Sequence, residues 1–543
     1  MTAATTSAVH GSARGRTAPH AATTTLAARQ LRRGALLVGG LCAGLTGLVA
    51  SQYATVVADL ETLVSLERLA ENPAIATLFG QPRALGDVGG FTVWRTGTVM
   101  AVLLGAWALT AATRVTRGEE DAGRWTLLVS GPVTVRSVVA RHLVVLLAVQ
   151  AAVGAGVAGA LAAAGADPGG ALLHGAGIGA VGAFFAACGV LAAQVLPDRR
   201  TAVAAAAGVL LTSLLLRMVA DGVGALSWLA WATPLGQLAR THPFSGNDAV
   251  PLAVLVVAVL GVAAAAVAAA AHRDLGEGLV RLHRDRPPRT RLLTSLPSFA
   301  VRRALGPMRT WGAALAAYFL LIGLLARSLT TFLEQNEQFA RLAAEAGFAD
   351  LGTVEGYVAS LFSLLAVPLG LFAASRVAAD AADEEARRLT TVLALPVSRA
   401  RWLLVHAAVA LAGVVVLALG AGAAAWTGAA LVQDRLSPVE AAAGVLNVVP
   451  VAALGLGAAV LAYGVSPRHV LLAGAVPLVG GYLLLVLADS FRWERVREIS
   501  PFAHLASVPA TGPDLAPTVV MLVSAAAAVA AGAWLFGRRD VAT

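Results

Sequence analysis

The sequence predicts an all-α polytopic membrane protein of about twelve transmembrane helices, arranged as two parallel six-helix repeats. Three observations carry this reading. Only 13% of the 543 residues are charged, about half the share found in a soluble domain, and the mean hydropathy is +0.76. Apolar runs of about 20 residues recur along the chain, the helix length that crosses a hydrocarbon core of about 30 Å, and none alternates with period two as a membrane barrel strand would. Finally, one charged segment occurs twice: GEEDAGRWTLLVSGPVTVR from Gly118 to Arg136, and ADEEARRLTTVLALPVSRAR from Ala382 to Arg401. The offset of 264 between Pro132 and Pro396 also aligns Glu120 with Glu384, Asp121 with Glu385, Arg124 with Arg388, Thr126 with Thr390, Val133 with Val397 and His142 with His406, without a gap.

Residues 1–22 are rich in Ala, Thr, Ser and Gly and read as a disordered cytoplasmic tail. The first apolar run continues as a span, unlike a cleaved secretory signal. The first half, 23–271, opens with TTTLAARQLRR, an amphipathic surface helix whose Arg29, Arg32 and Arg33 would meet anionic headgroups. Its spans fall near 34–58, 91–115, 138–164, 172–196, 202–220 and 251–271. A basic cytoplasmic linker, 272–309, holds nine Arg and ends in SFAVRRALGP, which resembles the opening surface helix. The second half, 310–537, repeats the plan with spans near 310–330, 356–379, 403–432, 439–465, 468–488 and 517–536, and 538–543 form a cytoplasmic tail. ATPLGQLARTHPF, before the sixth span, is matched by ISPFAHLASVPA before the twelfth.

The net charge is +9, and every basic residue is Arg. These Arg residues flank apolar spans, while the loops after spans one and seven are acidic. This is the positive-inside pattern, which places both termini in the cytoplasm of a multi-pass inner-membrane protein and leaves no role for nucleic acid. Six spans separate the copies, so the repeat is parallel rather than inverted. Cys42 and Cys188 lie within apolar runs, and the His residues lack metal-ligand spacing. Among polar residues inside spans, Gln150 and Asn447 are expected to hydrogen-bond between helices, and Arg217 to snorkel to an interface. His174, His242 and His504 fall at outer positions with no partner evident from spacing.

The repeated segment predicts a short cytoplasmic helix in each half, over 118–132 and 382–396. Glu119, Glu120 and Asp121, or Asp383, Glu384 and Glu385, would fill its first turn, where the helix dipole favours acids. Pro132 and Pro396 would end it. A rigid helix held between two spans suits a docking surface. The pattern of acids, Arg124 or Arg388, an apolar run and Pro-Val-[Thr/Ser] resembles the coupling segment of permease subunits of ATP-binding-cassette exporters, in the branch of polyketide-antibiotic (tetronasin-type) exporters with two fused six-span halves. That resemblance implies an ATPase contact at Glu119, Glu120, Asp121, Arg124 and Pro132, and at Asp383, Glu384, Glu385, Arg388 and Pro396. The copies depart from one another where Gly123 is replaced by Arg387.

A P-loop needs a Lys at the phosphates, and this chain has none. No cofactor is therefore expected in it: ATP and Mg²⁺ would be bound by a separate ATPase in two copies, with hydrophobic or amphipathic small molecules and the lipid bilayer as the other partners. The alternative is a major-facilitator-type carrier coupled to an ion gradient. GEEDAGR approaches that class's motif between spans two and three, but Asp121 is one position too close to Gly118 and no basic residue follows it. A membrane enzyme would need a converging catalytic set, and none is evident.

Overall fold

The computed structural model describes residues 19–57, 63–64, 67, 75–77, 80–280, 292–335, 354–432, 436–491 and 493–540. The expected tail up to residue 18, the acids Asp59, Glu61, Glu71, Glu337, Glu345 and Asp350 of the outer loops, and Arg281 to Arg289 of the linker lie outside the described residues.

The protein is all-α, and among the described residues twelve helices are long and apolar enough to cross a membrane. They are α1 (Pro19–Ser51), α2 (Val88–Asp121), α3 (Val135–Ala163), α4 (Pro168–Val195), α5 (Arg199–Gly222), α6 (Val250–Ala271), α7 (Leu296–Gln335), α8 (Val354–Glu385), α9 (Arg399–Leu431), α10 (Pro438–Val465), α11 (Pro467–Asp489) and α12 (Leu515–Arg538). The chain divides into two compact units, the first built on α1–α6 and the second on α7–α12.

Most span starts are written locally in the sequence. Asp87, Thr134, Asp167 and Asp198 accept hydrogen bonds from the first backbone N–H groups of α2, α3, α4 and α5. Ser398, Ser466 and Asp514 do so for α9, α11 and α12. Ser437 and Glu440 form a reciprocal capping box at α10. Each cap satisfies a donor that would otherwise be orphaned, worth about 1 kcal/mol.

In the first unit α4 is the central helix, packed against α2, α3, α5 and α6. In the second unit α10 holds the same place among α8, α9, α11 and α12. Their apolar stretches are 61% and 67% buried, against 28% for α6 and α12, whose outer faces expose Val257, Leu260, Val520 and Val523 to the lipid side. Close packing of α4 on α3 depends on a glycine pair. A Cβ at Gly154 would strike the Gly175 carbonyl, and one at Gly175 would strike the Gly154 carbonyl and Ala158.

Two boundaries differ from the sequence reading. The stretch 23–33 and the first span form one unbroken helix that already includes residues 19–22 of the expected tail. SFAVRRALGP and the seventh span likewise form one helix, with Pro307 inside it. The physical reason is a buried stripe that runs across each junction. Thr23, Ala27, Leu31, Val38, Cys42 and Thr46 are buried in α1, and Ala300, Ala304, Leu315, Phe319 and Ile322 in α7. A stripe of helical period packed against its own unit gives the chain no reason to break.

The span-borne polar residues also behave differently in part. Asn447 donates to the Ala506 carbonyl at 2.9 Å, as an inter-segment bond. Gln150 is fully buried, but its amide has no hydrogen-bond partner among the described residues. Arg217 does not snorkel; it is 3% exposed and paired with Asp221 at 2.5 Å one helical turn away.

Candidate functional site

The repeated segment folds into an elbow that joins the second and third spans of each unit. Its acids do not open a helix; they finish one. α2 runs on through a π-helical turn at Arg114–Gly118 and ends with Glu119, Glu120 and Asp121. α8 ends with Asp383, Glu384 and Glu385. The expected helices over 118–132 and 382–396 are replaced by Arg124–Val129 and Leu389–Leu393. Acids at a helix C-terminus oppose the dipole by roughly 0.3–1 kcal/mol each, so something stronger must hold them there.

That something is Arg. The wide π turn rotates Arg117 inward, where it is 1% exposed. Glu120, itself 6% exposed, receives a bidentate pair from Arg273 Nη1 and Nη2, both at 2.6 Å. The Gly276 N–H donates to the same carboxylate at 2.7 Å, and Arg117 Nη1 lies 3.4 Å away. Arg273 Nε donates to Gln194 Oε1 at 2.8 Å, and Arg117 donates to the carbonyls of Pro197, Gly276 and Glu277. The cluster thus ties the end of α2 to the end of α4 and to the chain just past α6.

The second unit repeats the device with one fewer cation. Glu384, 3% exposed, is reached by Arg539 Nη2 at 2.9 and 2.7 Å from its two oxygens. Arg539 follows α12 as Arg273 follows α6. Arg303 of α7 pairs with Asp380 at 3.2 Å and with Asp383.

Beyond the acids, both elbows turn through a left-handed residue, Gly123 at φ 72° and Arg387 at φ 56°. The two copies therefore share one backbone, and the departure at this position costs the second copy the left-handed strain of a Cβ, about 1 kcal/mol. Arg387→Gly is expected to raise the thermal midpoint of the solubilised chain, and Gly123→Arg to lower it, each by the equivalent of up to about 1 kcal/mol. Static light scattering during a thermal ramp would read both.

Each elbow is then pinned by one apolar side chain. Trp125 is 1% exposed, packed with Ala27, Leu31 and Val133 and facing His142 at 5.8 Å. Its counterpart Leu389 is 2% exposed. The imidazoles of His142 and His406 donate from Nδ1 to the carbonyls four residues back, both at 2.9 Å. Pro132 and Pro396 stop the short helix, and the following Thr134 and Ser398 cap the next span. The Pro-Val-[Thr/Ser] signature is a stop, a spacer and a cap in succession.

What remains outside is a small face of mixed character. Arg124 and Arg388 are 59% and 76% exposed at the side chain. Each reaches back to the acid five residues earlier, Arg124 to Glu119 at 2.6 Å and Arg388 to Asp383 at 3.5 Å. Asp121, Pro132, Glu385 and Pro396 are exposed. So are two leucines, Leu127 at 79% and Leu395 at 59%.

Of the ten residues expected to touch a partner, the structure therefore buries Glu120 and Glu384 and engages Glu119, Asp383 and Asp121, the last paired with Arg117 at 3.1 Å and accepting from the Arg199 N–H at 3.0 Å. Arg273, Arg539, Trp125 and Leu127 were not among them. A signal for the two Arg was present: each sixth span is followed within two residues by Arg.

Over 516 residues the chain is 30% identical to the multidrug efflux system permease protein Rv1217c of Mycobacterium tuberculosis (strain ATCC 25618 / H37Rv), spanning 91% of each chain. The chain belongs to this family of multidrug efflux permeases. Residues 293–537 also match the family described as multidrug efflux system permease Rv1217c, C-terminal domain. That match begins three residues before α7 and ends in α12, so in this permease it takes in all six spans of the second unit.

Proposed function

We propose that the chain is the transmembrane subunit of an ATP-driven exporter that moves hydrophobic or amphipathic, antibiotic-like compounds out across the cytoplasmic membrane. ATP and Mg²⁺ are bound by a separate ATP-binding-cassette ATPase, two copies of which dock, one on each elbow. The branch is the polyketide-antibiotic (tetronasin-type) one, and both termini lie in the cytoplasm. The single observation that carries this reading is the repetition of the elbow. Buried ion pairs and an apolar pin make it rigid, and its outer face combines a cation, a proline and an exposed leucine. Rigidity is what a part receiving mechanical work from a partner requires, and Arg is among the side chains that carry most of the energy at protein contacts.

The ion-gradient alternative gains no support. Proton-coupled carriers use ionisable groups near mid-membrane. Here Glu120, Asp221, Asp380 and Glu384 are each committed to an Arg at the end of a helix.

The test must spare the buried acids, since reversing Glu119, Glu120 and Asp121 together would break the Arg273 cluster and confound docking with folding. Leu127→Arg combined with Leu395→Arg leaves that cluster intact. Tagged wild-type chain drawn from its native membranes is expected to retrieve an ATPase, and the double variant to retrieve at least tenfold less at equal membrane yield. Retention of the ATPase by the double variant, or wild-type chain that retrieves no ATP-binding protein, would overturn the proposal.

A further inference from the structure

The end of the first unit opposite its elbow contains a cavity of about 190 Å³. Its walls come from the first turns of α2 and α4, the last turns of α5 and the Pro234–Arg240 helix. The sequence scattered His174 and His242; the fold brings both to this one cavity, together with Arg217, Asp221, Arg240 and Trp94.

Two of these groups are buried and short of partners. His174 is 1% exposed, and among the described residues neither of its ring nitrogens has a hydrogen-bond partner. A histidine carries at least one N–H in every protonation state, so His174 brings an unused donor to the cavity wall. Gly97 leaves room for that ring: a Cβ there would lie 3.2 Å from its Cε1. Arg217 is the second. Asp221 engages its guanidinium at Nε, and Nη1 has no partner among the described residues. An arginine has only donors to offer. Arg83 and Arg240 also line the cavity, so guanidinium groups outnumber its single carboxylate by three to one.

Buried donors without acceptors are costly, and a cationic wall decides which acceptor suits them. We propose that this cavity binds the anionic head group of an amphipathic molecule, a carboxylate or phosphate whose oxygens accept from His174 and Arg217. The volume supports a head group rather than a whole compound, since sites for drug-sized ligands enclose about 300–1,000 Å³. The apolar remainder of the ligand has Val93, Leu235 and Leu238 at the cavity wall to follow. On α11 of the second unit nothing matches Arg217: beyond Arg468 and His469 at its start, that helix carries no basic residue. The inference stands on the cavity and is independent of how transport is driven.

The test is equilibrium binding of radiolabelled dodecanoate to the purified full chain in an uncharged maltoside detergent. Methyl dodecanoate serves as the neutral control, and phosphatidylglycerol and inorganic phosphate as competitors. Dodecanoate is expected to bind saturably, and the ester at least tenfold more weakly. Arg217→Gln with Asp221→Asn removes the ion pair without orphaning either charge and is expected to weaken dodecanoate at least tenfold. His174→Gln, which keeps a donor, is expected to weaken it less than His174→Leu. Displacement by phosphatidylglycerol but not by phosphate would support the site with a lipid as its source; displacement by neither would support a free carboxylate amphipath. Equal affinity for acid and ester, displacement by inorganic phosphate alone, or wild-type affinity in the paired variant would overturn it.

Discussion

Glu120→Ala is expected to destabilise the first unit by roughly 3–5 kcal/mol, the cost of breaking a buried ion pair from one side. The carboxylate compensates two guanidinium groups at once, Arg117 and Arg273, both nearly inaccessible. Truncation also orphans the Gly276 N–H. The chain would be recovered in low yield, with a strongly lowered thermal midpoint in detergent. A control separates lost charge from lost packing. In the second unit Glu384→Ala should show the same penalty, but Glu384→Met with Arg539→Met should regain most of it, because removing both ions also removes their desolvation cost. By contrast, Arg124→Ala breaks an exposed pair with Glu119 and should cost no more than about 1 kcal/mol. If Glu120→Ala and Arg124→Ala had similar midpoints, the buried cluster would not be holding α2.

Gly175→Val should be nearly as damaging for a different reason. The α3–α4 contact is backbone against backbone at Gly154 and Gly175, so any side chain there must part the helices. Overpacking of this kind costs about 1–3 kcal/mol or more, and no rotamer relieves a clash with a carbonyl. Because α4 also packs on α2, α5 and α6, the displacement would loosen the whole unit. Gly159→Val on α3, where a Cβ meets nothing within 4 Å, is the matched control and should leave the stability within about 0.5 kcal/mol of wild type.

The architecture was legible because its signals are local. Twenty-residue apolar runs, Asp and Ser caps and the ungapped repeat each act over a few turns of chain. The elbow was half legible. Its position, its proline and its repetition lie in neighbouring residues, but the direction of its acids does not. Glu119–Asp121 read as a helix start because acids favour that end. Their true setting depends on Arg273, more than 150 residues away, and on a π turn that no residue pattern announces. The cavity opposite the elbow was illegible for the same reason: His174, Arg217 and His242 lie on three elements, and only the packing of α4 against α5 and the segment before α6 brings them to one wall.

The pairing of Glu120 with Arg273 spans 153 residues, and this orders the protein's biosynthesis. A ribosome adding about 5–20 residues per second needs roughly 8–30 s to travel that distance. Throughout that interval the nascent carboxylate has only Arg117 to lean on. The second unit waits as long again, since Glu384 and Arg539 stand 155 residues apart. Each moiety thus locks only as its last helix leaves the translocon, and a polypeptide cut short before Arg539 would be released with its second latch still open.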